Sequence, residues 1–304
     1  MNSASNPGLH HFVVFTAGCT FFLLVAGALV TSNDAGLSVP DWPLSYGSLA
    51  PPMVGGIFYE HGHRMVASFV GLLTIVLALW LWRREPRRWV RRLGLMALGT
   101  VIAQGVLGGL TVLFYLPVPI SVAHACLAQI FFGTVISLAL FTSRWWQSDL
   151  PRLEDPGTPR VRSLAIWSVA AIFLQLVLGA ALRHGGFGIA PHLVGAAVVM
   201  LPVLWTAGAL RRRYPNTPVL RRGSRLLHVL LGVQLLLGGA AWWSRAVARE
   251  FPQPIPVAVW LTVAHTVTGA LVLAGALGVT LVCCRILNPS RERALASRPE
   301  QAAL

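Results

Sequence analysis

Four histidines, His63, His124, His192 and His265, each fall near the start of an apolar stretch of this chain. Ionisable side chains are costly in such surroundings, so they read first as functional groups. Imidazoles from two facing helices can supply both axial nitrogens of a haem iron. The tripeptide Val122-Ala123-His124 recurs as Val263-Ala264-His265, and His63 corresponds in the same way to His192. The pattern therefore describes two haem-sized sites, His63 with His124 and His192 with His265. A lone membrane histidine more often just hydrogen-bonds a neighbouring helix, but four at one depth, in duplicate, fit that poorly. Zinc is a weaker rival, since a closed tetrahedral site needs all four nitrogens to converge on one point. A di-iron oxygenase would need several more carboxylates than the apolar stretches hold.

One carboxylate breaks the duplication. In Glu60-His61-Gly62-His63-Arg64 the i, i+3 spacing puts Glu60 and His63 on one helix face, whereas the position matching Glu60 in the second copy is Ile189. Glu60 thus reads either as a chemical group beside a haem held by His63 or as a partner for Arg64 at i+4 that anchors the helix end. His61 has no counterpart and reads as facing the membrane interface. His184 and Arg183 fall on a short outer loop and read first as solvated, with a haem propionate contact as the lesser alternative. His228 aligns with Leu98 and reads as non-ligating, and His10 and His11 have no evident partner.

The elements that must position these groups follow from composition. The chain has 304 residues, 55% hydrophobic and 11% charged, with 24 basic residues, all arginine, against 10 acidic ones, a formal charge of +14. Soluble domains carry roughly a quarter charged residues, which excludes a soluble enzyme. The basic excess is not interleaved with base-stacking aromatics, which excludes a nucleic-acid binder. Spanning hydrocarbon takes about 20 apolar residues in a helix, and eight runs qualify. They are Phe12 to Thr31, Met65 to Trp82, Leu93 to Tyr115, Ile120 to Thr142, Leu164 to Leu182, Pro191 to Leu210, Leu226 to Trp243, and Val257 to Cys284. Barrel-type alternation is absent, so the fold class is all-α, a polytopic membrane protein. No cleavable leader precedes the first run, which is expected to remain in the mature protein.

Twenty of the 24 arginines lie between the second and third, fourth and fifth, and sixth and seventh runs or after the eighth. The positive-inside rule makes that side, with both termini, cytoplasmic. Arg64, Arg183, Arg245 and Arg249 lie opposite. Tryptophans at helix ends and in adjoining loops, Trp42 among them, read as an interfacial belt. Cys19, Cys126, Cys283 and Cys284 lie in apolar segments and read as small buried residues.

The duplication extends beyond the histidines. Leu24 to Ala28 matches Leu176 to Ala180, and Gly36 matches Gly188, at an offset of 152; Gln104, Leu107, Gly108 and Gly109 match Gln234, Leu237, Gly238 and Gly239 at 130. Eight transmembrane helices thus form two pseudo-symmetric four-helix bundles, residues 1–150 and 151–304, related by an axis along the membrane normal. From Gly36 to His63 takes 27 residues but from Gly188 to His192 only 4, so the first half carries 23 extra residues in its first outer loop, around Pro40-Asp41-Trp42-Pro43.

These motifs together resemble the heme A synthase family. The carriers are Gly27 to Thr31, Gly36-Leu37-Ser38-Val39-Pro40-Asp41-Trp42-Pro43, Glu60-His61-Gly62-His63-Arg64 and the four histidines. The resemblance implies an oxidoreductase that converts the C8 methyl of heme O to a formyl group by successive hydroxylations, giving heme A. It implies that His63 and His124 bind the substrate heme O, that Glu60 is the catalytic carboxylate, and that His192 and His265 ligate a heme b cofactor. All four histidines would then be axial ligands of haem iron. On this reading the N-terminal half takes substrate, the C-terminal half holds heme b, and the protein sits in the cell membrane. Partners implied are membrane lipid, a heme O synthase (a farnesyl transferase) handing over an insoluble substrate, and a membrane or ferredoxin-type electron donor. The loop from Ser32 to Tyr59 lacks the cysteine pair of many bacterial members, with Val39 and Ser45 where those thiols are expected. A diheme b-type electron carrier or quinol oxidoreductase would need the histidines but not Glu60, and a haem exporter would release haem unchanged.

Overall fold

The structure, a computed structural model, describes residues 6–248, 250–252 and 254–289. Eight of its helices are long and apolar enough to cross a membrane: α1 (Pro7–Ser32), α2 (Gly55–Arg84), α3 (Arg88–Leu113), α4 (Val118–Thr142), α6 (Val161–Arg183), α7 (Ile189–Arg213), α8 (Pro218–Ala248) and α9 (Pro256–Ile286). A four-residue helix, α5 (Arg144–Gln147), follows α4. Two short strands, β1 (Leu153–Asp155) and β2 (Leu287–Pro289), pair in parallel and tie the mid-chain linker to the end of α9. The protein is an all-α polytopic membrane protein.

Several helices overshoot the apolar runs. α2 begins at Gly55 rather than Met65, and α8 at Pro218 rather than Leu226. Apolarity marks only the part of a helix in hydrocarbon, and arginine stems let it continue until the guanidinium heads reach water. Glu60, His61 and His63 consequently lie inside α2, and the four histidines range from the first to the third turn of their helices. Arg249, Arg291, Arg293 and Arg298 lie outside the described residues.

The helices close into two rings. α1 packs on α2, α2 on α3, α3 on α4 and α4 back on α1; α6 to α9 repeat the cycle. The rings meet where α4 and α1 face α9 and α4 faces α6. Lipid is as apolar as leucine, so close packing and interhelical hydrogen bonds must hold such a seam. Phe132 packs with Phe21 against Ala270 and Ala274, and Val259, Val263 and Val267 against Val25, Ala28 and Leu29. α9 is therefore the most enclosed span, 61% of its apolar window buried, against 17% for the outlying α3 and α8. Ser168 and Thr206 share a hydrogen bond of 2.9 Å between α6 and α7, and Thr280 donates from α9 to the Ala165 carbonyl of α6 at 3.0 Å.

Helix ends are satisfied locally. Asn6 accepts from the Leu9 N–H ahead of Pro7, and the Asp155 carboxylate accepts from the N–H groups of Val161 and Arg162 at the start of α6, the favourable place for an anion. At the same end of the bundle Arg87 pairs with Glu85 and donates to the Phe141 carbonyl.

Candidate functional site: four seated histidines and a loop over one pair

Each histidine lies against a glycine of the preceding membrane helix. A Cβ placed on Gly27 of α1 would stand 3.1 Å from Cε1 of His63, one on Gly108 of α3 3.2 Å from His124, one on Gly179 of α6 3.1 Å from His192, and one on Gly238 of α8 2.9 Å from His265. Only a residue without a Cβ lets a backbone approach an imidazole so closely. The matched glycines found in the sequence are thus the seats of the matched histidines.

The seats fix two pairs. The rings of His192 and His265 stand 6.2 Å apart, centre to centre, at 84°. Two imidazoles on one iron, each with a metal–nitrogen bond of about 2.0 Å and its ring centre about 1 Å behind the nitrogen, would be separated by about 6 Å. His63 of α2 and His124 of α4 stand on opposite helices of the first ring, each on its own glycine. Among the described residues no three histidine, cysteine or acidic side chains gather into a metal cluster, so a four-histidine zinc site has no support. Nδ1 of His63, His124 and His265 is buried without a hydrogen-bond partner among the described residues. Such groups in an apolar bundle belong to sites that a ligand completes. Imidazoles on facing helices, three of them with an unpartnered Nδ1, fit haem.

Over the first pair lies the long loop. Arg64 holds it: one guanidinium nitrogen donates to the carbonyls of Asp41 and Leu44, both at 2.7 Å, and the other to the Val39 carbonyl at 3.3 Å. That second nitrogen also meets Glu60 Oε1 at 2.6 Å, while the Val39 N–H donates to Glu60 Oε2 at 2.8 Å. Glu60, 4% exposed, therefore has both oxygens engaged, one by a cation and one by the loop backbone. The i+4 pairing read from the sequence is present, and the loop adds a partner that spacing alone did not predict.

His61 departs from its expected place at the membrane interface. It is buried and its Nδ1 lies 2.8 Å from the Ser45 hydroxyl. The loop folds inward over it, so the two positions where thiols were expected, Val39 and Ser45, are both buried and bind Glu60 and His61. Trp42 is likewise not simply a belt residue. Its indole lies over Gly109, where a Cβ would come within 2.7 Å of the ring, beside the Gly108 seat of His124. Asp41 accepts from the N–H groups of Tyr46 and Gly47 at 2.7 and 2.8 Å, both residues in the left-handed region at φ +53° and +69°. Those donors, Gly47 first, hold the Asp41 carboxyl below its ordinary range.

Among the described residues the second pair has no matching loop between its first two helices: only residues 184–188 separate α6 from α7, and a Cβ on Gly239, the match of Gly109, would meet nothing within 4 Å. Arg183 ends α6 and reaches Ser32 of the first half at 3.0 Å, and Arg245 donates to Thr262 at 2.9 Å. Neither makes an ion pair among the described residues. His184 caps α6, and burial followed by the charge of Arg183 lowers its pKa. His228 is spent on the Ser224 carbonyl of its own helix, and His10 meets Thr142 at 3.2 Å.

Sequence reasoning missed Gln175, whose Nε2 donates to the His192 carbonyl at 2.8 Å as that of Gln104 does to His124 at 2.9 Å. The available signal was a glutamine four residues before the seat glycine, which the alignment of halves by their closest matches concealed.

A family model described as cytochrome oxidase assembly protein matches residues 55–191, from the first residue of α2 to the first turn of α7. The heme A synthase of Symbiobacterium thermophilum is 30% identical over 246 residues, 70% of this chain and 78% of its own length. That of Lysinibacillus sphaericus is 30% identical over 186 residues, 59% of each chain. That of Geobacillus kaustophilus is 22% identical over 259 residues, 76% of this chain and 80% of its own.

Proposed function

The chain belongs to the heme A synthase family, and from that premise we propose that it oxidises the C8 methyl of heme O to the formyl group of heme A. The conversion removes four electrons and adds one oxygen atom, passing through an alcohol and a gem-diol that loses water. The observation that carries the reading is the asymmetry of the two halves. A buried carboxylate and a covering loop stand over His63 and His124, where the duplicate has Ile189 and five loop residues.

In this reading the first half, residues 1–150, takes heme O between His63 and His124. The second half, 151–304, holds heme b between His192 and His265, which would relay single electrons. Glu60, with Arg64 and the Val39 N–H fixing its oxygens, is a preorganised negative charge rather than a free base. It would stabilise positive charge developing at the porphyrin edge, and it costs no reorganisation because its partners are already in place. The loop excludes water and strengthens that interaction. Arg183 and Arg245, cations without carboxylate partners among the described residues, suit haem propionates. The arginine-rich end faces the cytoplasm, with both termini, in the cell membrane. Heme O arrives from a membrane farnesyl transferase, and electrons pass to or from a membrane or ferredoxin-type partner.

The test is to produce the chain with a heme O source and identify extracted haems by chromatography and mass, beside Glu60→Gln. Heme A from the wild type, lost in the variant while both haem sites stay filled, supports the assignment. Heme A undiminished in the variant removes Glu60 from the chemistry. Protohaem alone in both halves, with heme O supply verified, makes the chain an electron carrier.

A further inference from the structure

The four seats are not equivalent one turn away. Residues at i and i+4 share a helix face, and four residues before the seat glycine stand Gln104 for Gly108, Gln175 for Gly179, Gln234 for Gly238, but Leu23 for Gly27. Each glutamine reaches the histidine's own helix. Gln104 and Gln175 donate to the main-chain carbonyls of His124 and His192, and the Gln175 amide also stands 3.1 Å from the His192 Nδ1. The Gln234 amide lies over Gly269, one turn beyond His265, 3.2 Å from where a Cβ would be. Gly195, one turn beyond His192, likewise leaves room for Gln175, whose amide would overlap a Cβ there. Leu23 instead joins Cys19 and Val66 in an apolar cluster and offers His63 no hydrogen-bonding group.

We infer that His63 is the most readily exchanged axial ligand of this protein, and that Gln104, Gln175 and Gln234 are positioning residues that slow the departure of the other three imidazoles from iron. The inference rests on the assignment of His63 and His124 to substrate. A glutamine bonded to the ligand residue ties two helices together at the coordinating group and limits the motion by which the imidazole can leave iron. Removing such an outer partner typically weakens a metal site by 10–100-fold. In the second pair Gln175 bonds the His192 carbonyl and Gln234 lies against the helix of His265. The first is held more firmly through His124 than through His63, so the His63 bond opens first and the His124 bond breaks after it as product leaves.

The test uses the full-length chain in lipid nanodiscs loaded with protohaem. His192→Ala/His265→Ala leaves only the first site, and His63→Ala/His124→Ala only the second. Haem loss to an excess of apo-globin is followed by absorbance. First-site haem is expected to leave at least about tenfold faster. Leu23→Gln slows that loss by about tenfold, and Gln175→Leu speeds second-site loss by about as much. Gln175→Leu also alters the low-spin resonance signature of the second haem without moving the unfolding temperature of the haem-free protein, which a merely structural residue would move.

Equal loss from both sites, or rates unchanged within about twofold by both substitutions, overturns the inference. If Leu23→Gln does not accumulate, Gln175→Leu decides alone. Failure of the first site to bind any haem sinks this inference together with the substrate assignment. Equal rates in a chain that makes heme A sink the inference only.

Discussion

The two halves are built alike in hydrocarbon and differently at its edge. Both seat two histidines on glycines of the neighbouring helix, and in both the ring of four helices closes without help from the other. Above them the first half places Glu60, Arg64 and a folded loop; the second offers Ile189, Leu193 and a five-residue turn. The whole ion pair, not the carboxylate alone, is thus confined to one copy. A buried ion pair is weak evidence for stability, since its desolvation offsets much of its attraction, and the second half folds the same way without it. The comparison teaches that the bundle supplies matched histidine seats, and that the added edge is what distinguishes one pair from the other; on the proposed function, that edge is where the chemistry takes place.

The largest effect that can break the comparison is at Glu60 itself. Glu60→Gln keeps the shape and the Val39 hydrogen bond but removes the charge, and heme A formation should fall by more than about a hundredfold, in the range seen when a preorganised electrostatic group is deleted. Haem content by pyridine haemochrome should not change. Ile189→Glu, the reciprocal change, should not restore heme A to that variant, because the second half has neither Arg64 nor the loop to hold a carboxylate.

Next come the seats, where the halves should respond alike. Gly238→Ala puts a methyl 2.9 Å from the His265 ring, closer than real side chains tolerate, and Gly108→Ala puts one 3.2 Å from His124. Gly238→Ala should lose most second-half haem, and Gly108→Ala should weaken first-half binding by about tenfold, as for other disturbed ligand shells. Titration of the purified variants with protohaem measures both. If both seats accepted alanine with haem binding intact, the glycines would be incidental.

The duplicated scaffold was legible in the sequence because its signals are local. Twenty-residue apolar runs, arginine-rich connections and histidines at matched offsets all survive reading one residue after another. The seats were half legible: Gly27 with Gly179 and Gly108 with Gly238 were visible as matches, but that each touches an imidazole depends on helix rotation. At the edge, Glu60, its i+4 partner Arg64 and the length of the loop were legible, but the path of the loop was not. Arg64 reaching back to Asp41 and Leu44, Trp42 lying on Gly109, and His61 turning in to Ser45 span about 15 to 70 residues of chain. No periodicity encodes where an irregular loop lands. The β1–β2 pair was missed for the same reason, three residues at either end of the second bundle being too short to pattern.

A smaller effect separates loop from bundle. Arg64→Ala leaves Glu60 buried without its cation and should cost about 3 kcal/mol, while Arg64→Lys keeps the charge but cannot reproduce the two-nitrogen reach to three loop carbonyls. Arg64→Lys should therefore leave second-half haem untouched and loosen the loop, seen as faster amide exchange over residues 39–47. Exchange unchanged in that variant would mean that Trp42 on Gly109, not Arg64, is the principal anchor, which Gly109→Ala tests directly.

The smallest effect is the dependence of the loop on pH. Asp41 is half-buried, and the N–H groups of Gly47 and Tyr46, with Arg64 adding a lesser contribution, lower its pKa from 3.8. A carboxyl whose folded pKa is depressed contributes to the folded loop above its unfolded value, and the contribution is lost as pH falls through the folded value. The turn at Tyr46 and Gly47 should hence be indifferent to pH from neutrality down to about 4 and loosen below it. The matching turn of the second half, Gly185 to Gly188, has no acidic group and should not respond. Amide exchange of Tyr46 and Gly47 between pH 3 and 5, corrected for the intrinsic rate, distinguishes the two loops. Asp41→Asn should abolish the difference and leave the turn as loose at pH 6 as the parent is in acid. A parent loop that stays protected below its Asp41 titration would show that the two backbone donors find the neutral carboxyl an equal partner, and that Arg64 alone sets the loop.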